Sequence, residues 1–307
     1  MADDTLESVA GSIGIIGAGA VGVTLARALA ARGARISAVA SRSQASAESL
    51  AAVLPHVRAI PPGDMPAAAD LVFLTVSDAA ITPLAEALHW RAGQGVVHLS
   101  GARGADALIA VAARGAHPAA LHPLMTFARP APDVPAATLL QRLSGCTWAL
   151  EADDPALASI LEALVAALGG AVVRLAPEQR IPYHISGVLA SNYIVTLLAT
   201  ATRLWQSFAA PDDALRALLP LLRGAVENLD NVGLPAALSG PIGRGDIATV
   251  ASHLAWLDAQ ITHTPEMRSV RDAYIALAEL TLPVALAKRT LSAEDAEKLR
   301  ELWREPQ

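Results

Sequence analysis

The sequence predicts an α/β part, a mostly parallel β-sheet with helices on both faces over residues 1–176, followed by an all-helical part over residues 177–307. Three observations carry this reading. From Ser12 to Leu175 short apolar runs alternate with Ala/Leu-rich stretches, the rhythm of parallel strands joined by crossover helices. Most of those runs are apolar throughout, as strands buried on both faces are. Beyond Leu175 the rhythm stops and only long amphipathic segments follow, so the boundary is expected near Ala176. A length of 307 residues also suits two domains.

The expected strands are Ser12 to Ile16, Arg35 to Ala40, Leu71 to Val76, Gly95 to Leu99, Ala119 to Leu121, Thr147 to Leu150 and Ala171 to Leu175. Asp154 followed by Pro155 reads as an N-cap with a first-turn proline, and Gly169-Gly170 as the stop of that helix. Helical segments are expected over Pro177 to Phe208, Pro211 to Val232, Asp246 to Thr262 and Pro265 to Lys288. The first residues, Met1 to Ser8, carry three acids and no base, unlike a secretory leader, and read as a frayed tail.

Composition narrows the ligand class. The one cysteine, Cys146, excludes an internal disulfide framework and points to a reducing, cytoplasmic setting. A net charge of -6 without a basic cluster argues against nucleic acid, whose phosphates need concentrated Lys and Arg. Apolar stretches are interrupted by Glu162, Asn192, Thr196 and Arg203, so no membrane helix is expected. The partner should be a small molecule.

The strongest motif is Gly17-Ala18-Gly19-Ala20-Val21-Gly22, directly after Ile13 to Ile16 and opening the stretch Val21 to Arg32. Gly17 permits a tight turn, Gly19 lets the backbone approach a pyrophosphate, and Gly22 lets helix and strand pack closely; the helix N-terminus offers N–H groups to phosphate. This is the dinucleotide fingerprint of a Rossmann domain. The end of the second strand normally reports the ribose. It reads Ser41-Arg42-Ser43, and no Asp or Glu lies between Gly33 and Ala47, so the acceptor for a ribose 2′-hydroxyl is missing while a guanidinium suits a 2′-phosphate. NADP is therefore favoured over NAD. Val76 and Ser77 are expected as cofactor neighbours, and Asp78 as the N-cap of the next helix.

Candidate chemistry gathers at the same strand ends. His98 reads as a hydrogen-bonded core histidine, whereas Ser100 and His122 lie just past strand ends, where side chains reach a crevice. In the helical part, His184, Val188, Ser191 and Asn192 share one helix face by their spacing. His184 is the first choice for general acid or base, because imidazole is the side chain that exchanges protons near neutral pH. Asn192 and Ser100 would position the reacting group, and His122 is the rival donor. Arg244, between two glycines, would bind a substrate carboxylate or anchor its loop, and Asp246 would cap the helix that follows.

The glycine loop, His98-Leu99-Ser100-Gly101, His122-Pro123-Leu124 with Phe127, Tyr183-His184 with Ser191-Asn192-Tyr193, and Gly240-Pro241-Ile242 with Arg244-Gly245-Asp246 together resemble the two-domain bacterial proteins that join a Rossmann-like domain to a C-terminal domain of unknown function 2520. The resemblance implies an N-terminal domain similar to those of pyrroline-5-carboxylate and ketopantoate reductases. It also implies a helical domain similar to that of 6-phosphogluconate dehydrogenase, and a homodimer formed through the helical domains. Relatives of the 3-hydroxyacid dehydrogenase and ketopantoate reductase kind place a lysine on the first helix of that domain. This chain has only Lys288 and Lys298, and His184 stands in the comparable region. Prephenate dehydrogenases carry a similar His-Pro pair after a late strand, which supports a polar role for His122. The expectation is hydride transfer between NADP(H) and a small carbonyl or imine compound; the alternative is a catalytically silent dinucleotide-binding sensor.

Overall fold

A computed structural model of the chain describes residues 6–205 and 208–304. Among them the chain falls into two compact units, residues 1–192 and 193–307, so the division comes later than Ala176. The segment after the sheet stays with the first unit because Arg180 and Tyr183 are bonded to strand residues, as described below.

The first unit holds an eight-stranded sheet: β1 (Ser12–Ile16), β2 (Arg35–Ala40), β3 (Arg58–Ala59), β4 (Leu71–Leu74), β5 (Gly95–His98), β6 (His117–Pro123), β7 (Thr147–Ala152) and β8 (Ala171–Arg174). Their spatial order is β3-β2-β1-β4-β5-β6-β7-β8. All neighbours are parallel except β6 and β7, which run antiparallel. The carboxyl ends of β1, β2, β4, β5 and β6 therefore share one edge, and the chain order reverses between β1 and β4, where a ligand crevice forms in such sheets. Strand β3 was not expected: two residues, one charged, leave no periodic signal.

Burial explains the apolar strands. Leu71 and Phe73 join one core cluster with Ile13, Ile15 and Trp148, while Val72 and Leu74 join the opposite cluster with Ile16 and Val96. Alternate side chains thus fill both faces of the sheet. The helix Pro155–Ala167 begins as expected, with Asp154 Oδ1 accepting from Leu157 N at 2.7 Å.

Met1 to Thr5 of the expected tail lie outside the described residues, but Leu6–Ala10 form a helix rather than a frayed end, because Leu6 packs against the sheet core. Asp78 is likewise not the cap of its helix; Ser77 takes the N-cap and Asp78 the first helical position of Asp78–Ala87. The helix Pro177–Trp205 is long and apolar enough to cross a membrane by length and composition, with mean hydropathy 1.4, which corrects the expectation that its polar residues interrupt such a span. Asn192 and Thr196 are too weakly polar to offset the Ile, Leu and Val around them.

The second unit is helical. The helices Ile247–His263, Met267–Lys288 and Ala293–Arg304 enclose a core of Val250, Leu254, Leu282 and Leu299. The last of these was not expected, since its charged residues mask a narrow apolar stripe. Gln206 and Ser207 of the expected segment ending at Phe208 lie outside the described residues.

Candidate functional site

The glycine loop has the geometry its spacing predicts. Gly17 has φ +118° and donates its N–H to Ala40 O at 2.8 Å, and a Cβ there would lie 2.3 Å from Thr75 O. A Cβ on Gly22 would lie 1.9 Å from Gly17 O. Both positions are closed to any side chain. Thr75, which the sequence did not single out, fastens the loop by donating its hydroxyl to Gly17 O at 2.6 Å. Gly19 differs: it is exposed, it is the N-cap of the helix Ala20–Ala31, and a Cβ there would meet no protein atom. No side chain caps that helix, so the first-turn N–H groups around Ala20, Val21 and Gly22 are left for an outside acceptor. Ala18 is buried beneath the loop. These features fit a diphosphate.

At the next strand end Arg42 is exposed and Ser41 half-buried. Ser43 caps the helix Gln44–Ala51, its hydroxyl accepting from Ser46 N at 3.3 Å, so one of the two expected hydroxyls already has a structural partner. Val76 packs against the core, and Ser77 is exposed at the uncapped start of Asp78–Ala87.

Beyond β5 and β6 a polar cluster occupies the same edge. His98 is fully buried; its Nε2 lies 2.8 Å from Gly104 O and its Nδ1 accepts from Ser100 N at 3.2 Å. This is the core histidine that was expected. Burial keeps its pKa below the ordinary value. Ser100 is also buried, its hydroxyl accepting from Ala102 N and Arg103 N, so it shapes the loop and does not line the cavity described next. Arg103 donates to Asp78 O at 3.0 Å and to the Thr82 hydroxyl at 2.9 Å, which ties this loop to the helix at the end of β4.

His122 and His184 come together. Their ring centroids are 6.3 Å apart and nearly perpendicular, and both rings lie against the open side of Gly101, where a Cβ would be 2.8 Å from His122 Nε2 and 2.7 Å from His184 Cδ2. They line a cavity of about 520 Å3 with Leu124, Val188, Ser191 and Asn192. The face predicted from spacing is present, although residues Val188–Asn192 adopt a π-helical turn, a widening often found at functional sites. Burial pushes the His122 pKa down to about 4, aided by the neighbouring His184 ring and the Arg180 charge and opposed by Asp78.

Two participants were missed. Tyr183 Oη lies 2.9 Å from His122 Nδ1, and burial raises its pKa to about 12. Arg180, 2 % exposed, donates to Glu151 and to Ser100 O, and Glu151 Oε1 accepts from Ala105 N. No spacing rule links Arg180 to Glu151, since strand β7 and the helix Arg180–Gly187 are joined only by folding. Arg244 lies in the second unit, exposed at the end of Pro241–Arg244, and Asp246 caps Ile247–His263 as expected by accepting from Thr249 N at 3.1 Å.

Comparison with known proteins finds two family matches along the chain. A Rossmann-like domain family matches residues 2–123, and the domain of unknown function DUF2520 matches residues 146–281. No curated protein matches the chain. Among solved structures, a proposed NADP oxidoreductase from Bacteroides fragilis is 23% identical with a TM-score of 0.70, covering 89% of this chain and 98% of its own. A reductive aminase from Aspergillus terreus, in complex with NADPH and ethyl levulinate, is 19% identical with a TM-score of 0.60, covering 94% and 98%. A 1-pyrroline-5-carboxylate reductase from Streptococcus pyogenes is 16% identical with a TM-score of 0.55, covering 87% and 97%. The chain belongs to the two-domain proteins that join a Rossmann-like domain to a DUF2520 domain.

Proposed function

We propose that the protein is an NADP-dependent oxidoreductase acting on a small carbonyl or imine compound. The observation that carries this reading is the open cradle at Gly19, on the same sheet edge as the His122–His184 pair. The names of the Bacteroides, Aspergillus and Streptococcus structures, all NADP oxidoreductases or reductases of C=N bonds, support the same class.

In this reading Ala20, Val21 and Gly22 present backbone N–H groups to the pyrophosphate, and Arg42 meets the 2′-phosphate that distinguishes NADP from NAD. When bound, NADPH supplies a hydride to an electrophilic carbon. His184 holds a proton for the oxygen or nitrogen that gains charge as that carbon is reduced, and recovers it from water. Asn192 orients the reacting group, and the apolar wall at Leu124 and Val188 excludes water. The imidazole replaces the lysine of the hydroxyacid dehydrogenases.

Exposed Leu221, Val226, Leu229 and Val232 along the helix Pro211–Val232 support a homodimer through the helical domain. The single buried cysteine is in keeping with a cytoplasmic protein. Titration calorimetry with NADPH and NADH, followed by nicotinamide absorbance against a panel of ketones, aldehydes and cyclic imines, tests the function. Tight NADPH binding with turnover supports it, and no heat from either nucleotide at millimolar concentration refutes it. Binding without turnover of any compound would leave a sensor.

A further inference from the structure

His122 has one ring nitrogen committed and one available. Nδ1 faces the Tyr183 hydroxyl at 2.9 Å, with the rings edge to face at 5.7 Å. Nε2 has no hydrogen-bond partner among the described residues and lies over Gly101 at the cavity wall. The Tyr183 hydroxyl has a second acceptor, His122 O, but at 3.4 Å, beyond a good O–H···O distance, so Nδ1 is the better placed of its two acceptors. Burial keeps that phenol protonated and keeps the imidazole neutral at pH 7. The charged and titratable groups that act on the ring are His184, Arg180, Asp78 and His98. Arg180 is neutralised by Glu151, and His98 is occupied by Gly104 O and Ser100 N.

A neutral imidazole that accepts at Nδ1 carries its proton on Nε2. We propose that Tyr183 fixes His122 as an Nε2–H donor, so that the cavity takes its substrate through a lone-pair acceptor, a carbonyl oxygen or the nitrogen of a neutral imine, rather than through the N–H of an iminium or ammonium group. This rests on the functional reading above and narrows it to the neutral, acceptor-presenting form of the substrate. Tyr183 is a positioning residue that acts through His122. Gly101 is part of the device, because any side chain there would displace both imidazoles. As the carbonyl carbon accepts a hydride, the Nε2–H bond strengthens toward the developing oxyanion without giving up its proton.

The test is nitrogen NMR of 15N-labelled protein at pH 7, with and without saturating NADP+, His122 being assigned by its loss in His122→Asn. An unprotonated Nδ1 and a protonated Nε2 are expected, and Tyr183→Phe should collapse this pattern to exchange between tautomers. A protonated Nδ1 in the unmutated protein overturns the proposal, whether or not Tyr183→Phe folds. An unchanged pattern in folded Tyr183→Phe removes the role of Tyr183. Cyclopentanone at millimolar concentration should move the Nε2–H signal and cyclopentylammonium should not. Equal shifts, a shift from the ammonium alone, or none from either overturns the substrate class. Calorimetry with NADPH on the same sample separates the two readings: no binding refutes the oxidoreductase, whereas binding with the other tautomer refutes only this inference.

Discussion

Arg180 donates Nε–H to Glu151 Oε2 at 2.9 Å, and its Nη2 is ion-paired to the same oxygen at 2.8 Å, with the arginine almost wholly enclosed. The pair joins the helix that bears His184 to strand β7, and its other contacts, to Ser100 O and Ala105 N, hold the loop beneath the two cavity imidazoles. A buried charge left without its partner is costly, so Arg180→Leu should destabilise the first unit by ~3–5 kcal/mol, read as a lowered urea midpoint. Arg180→Met with Glu151→Met should recover most of that loss. A single variant as stable as the parent would show that the pair holds nothing.

The two outer glycines of the fingerprint and the middle one should fail differently. Gly22→Ala places a methyl group against Gly17 O and should lower stability by ~1–3 kcal/mol together with NADPH affinity. Gly19→Ala meets no protein atom and should leave the melting temperature unchanged while weakening NADPH at least about tenfold, ~1.4 kcal/mol. Equal NADPH affinity in Gly19→Ala would remove the diphosphate from the loop.

Arg42→Ala should weaken NADPH at least about tenfold, ~1.4 kcal/mol, and leave NADH unchanged, as measured by calorimetry. Equal losses for both nucleotides would place the 2′-phosphate elsewhere.

His184→Ala should slow single-turnover hydride transfer by roughly 10²-fold or more, the usual contribution of a positioned acid or base. An unchanged rate would transfer that role to another group.

Stability should depend on acid in a definite window. The unfolded imidazoles of His98 and His122 titrate near the ordinary 6.5, whereas in the fold both are held lower, His122 down to about 4. Between those values the unfolded state binds more protons, so the contribution is complete above about pH 6.5 and is lost as the pH falls toward 4. The urea midpoint should drop between pH 7.5 and pH 5, and His122→Asn should flatten part of that drop. A midpoint indifferent to pH would contradict the burial of these rings.

Local rules carried the reading where the chemistry is local. The strand-loop-helix order around Gly17, the cap at Asp154 and the shared face of His184 and Asn192 depend on residues within one or two turns of each other, and their spacing is legible in the chain. Short or masked elements were not legible: β3 is too brief for a period, and Ala293–Arg304 hides its stripe among charges.

The sequence by itself determined that a dinucleotide-type glycine turn opens the helix after β1, that the sheet is mostly parallel and buried on both faces, and that a helical domain follows. Only the tertiary structure decided that Ser100 shapes a loop, that His122 stands between Tyr183 and His184, and that Glu151 holds Arg180. The partners of Glu151 and His122 lie 29 to 62 residues away in sequence, and contacts over such distances arise from how strands and helices pack, which no local pattern of side chains encodes.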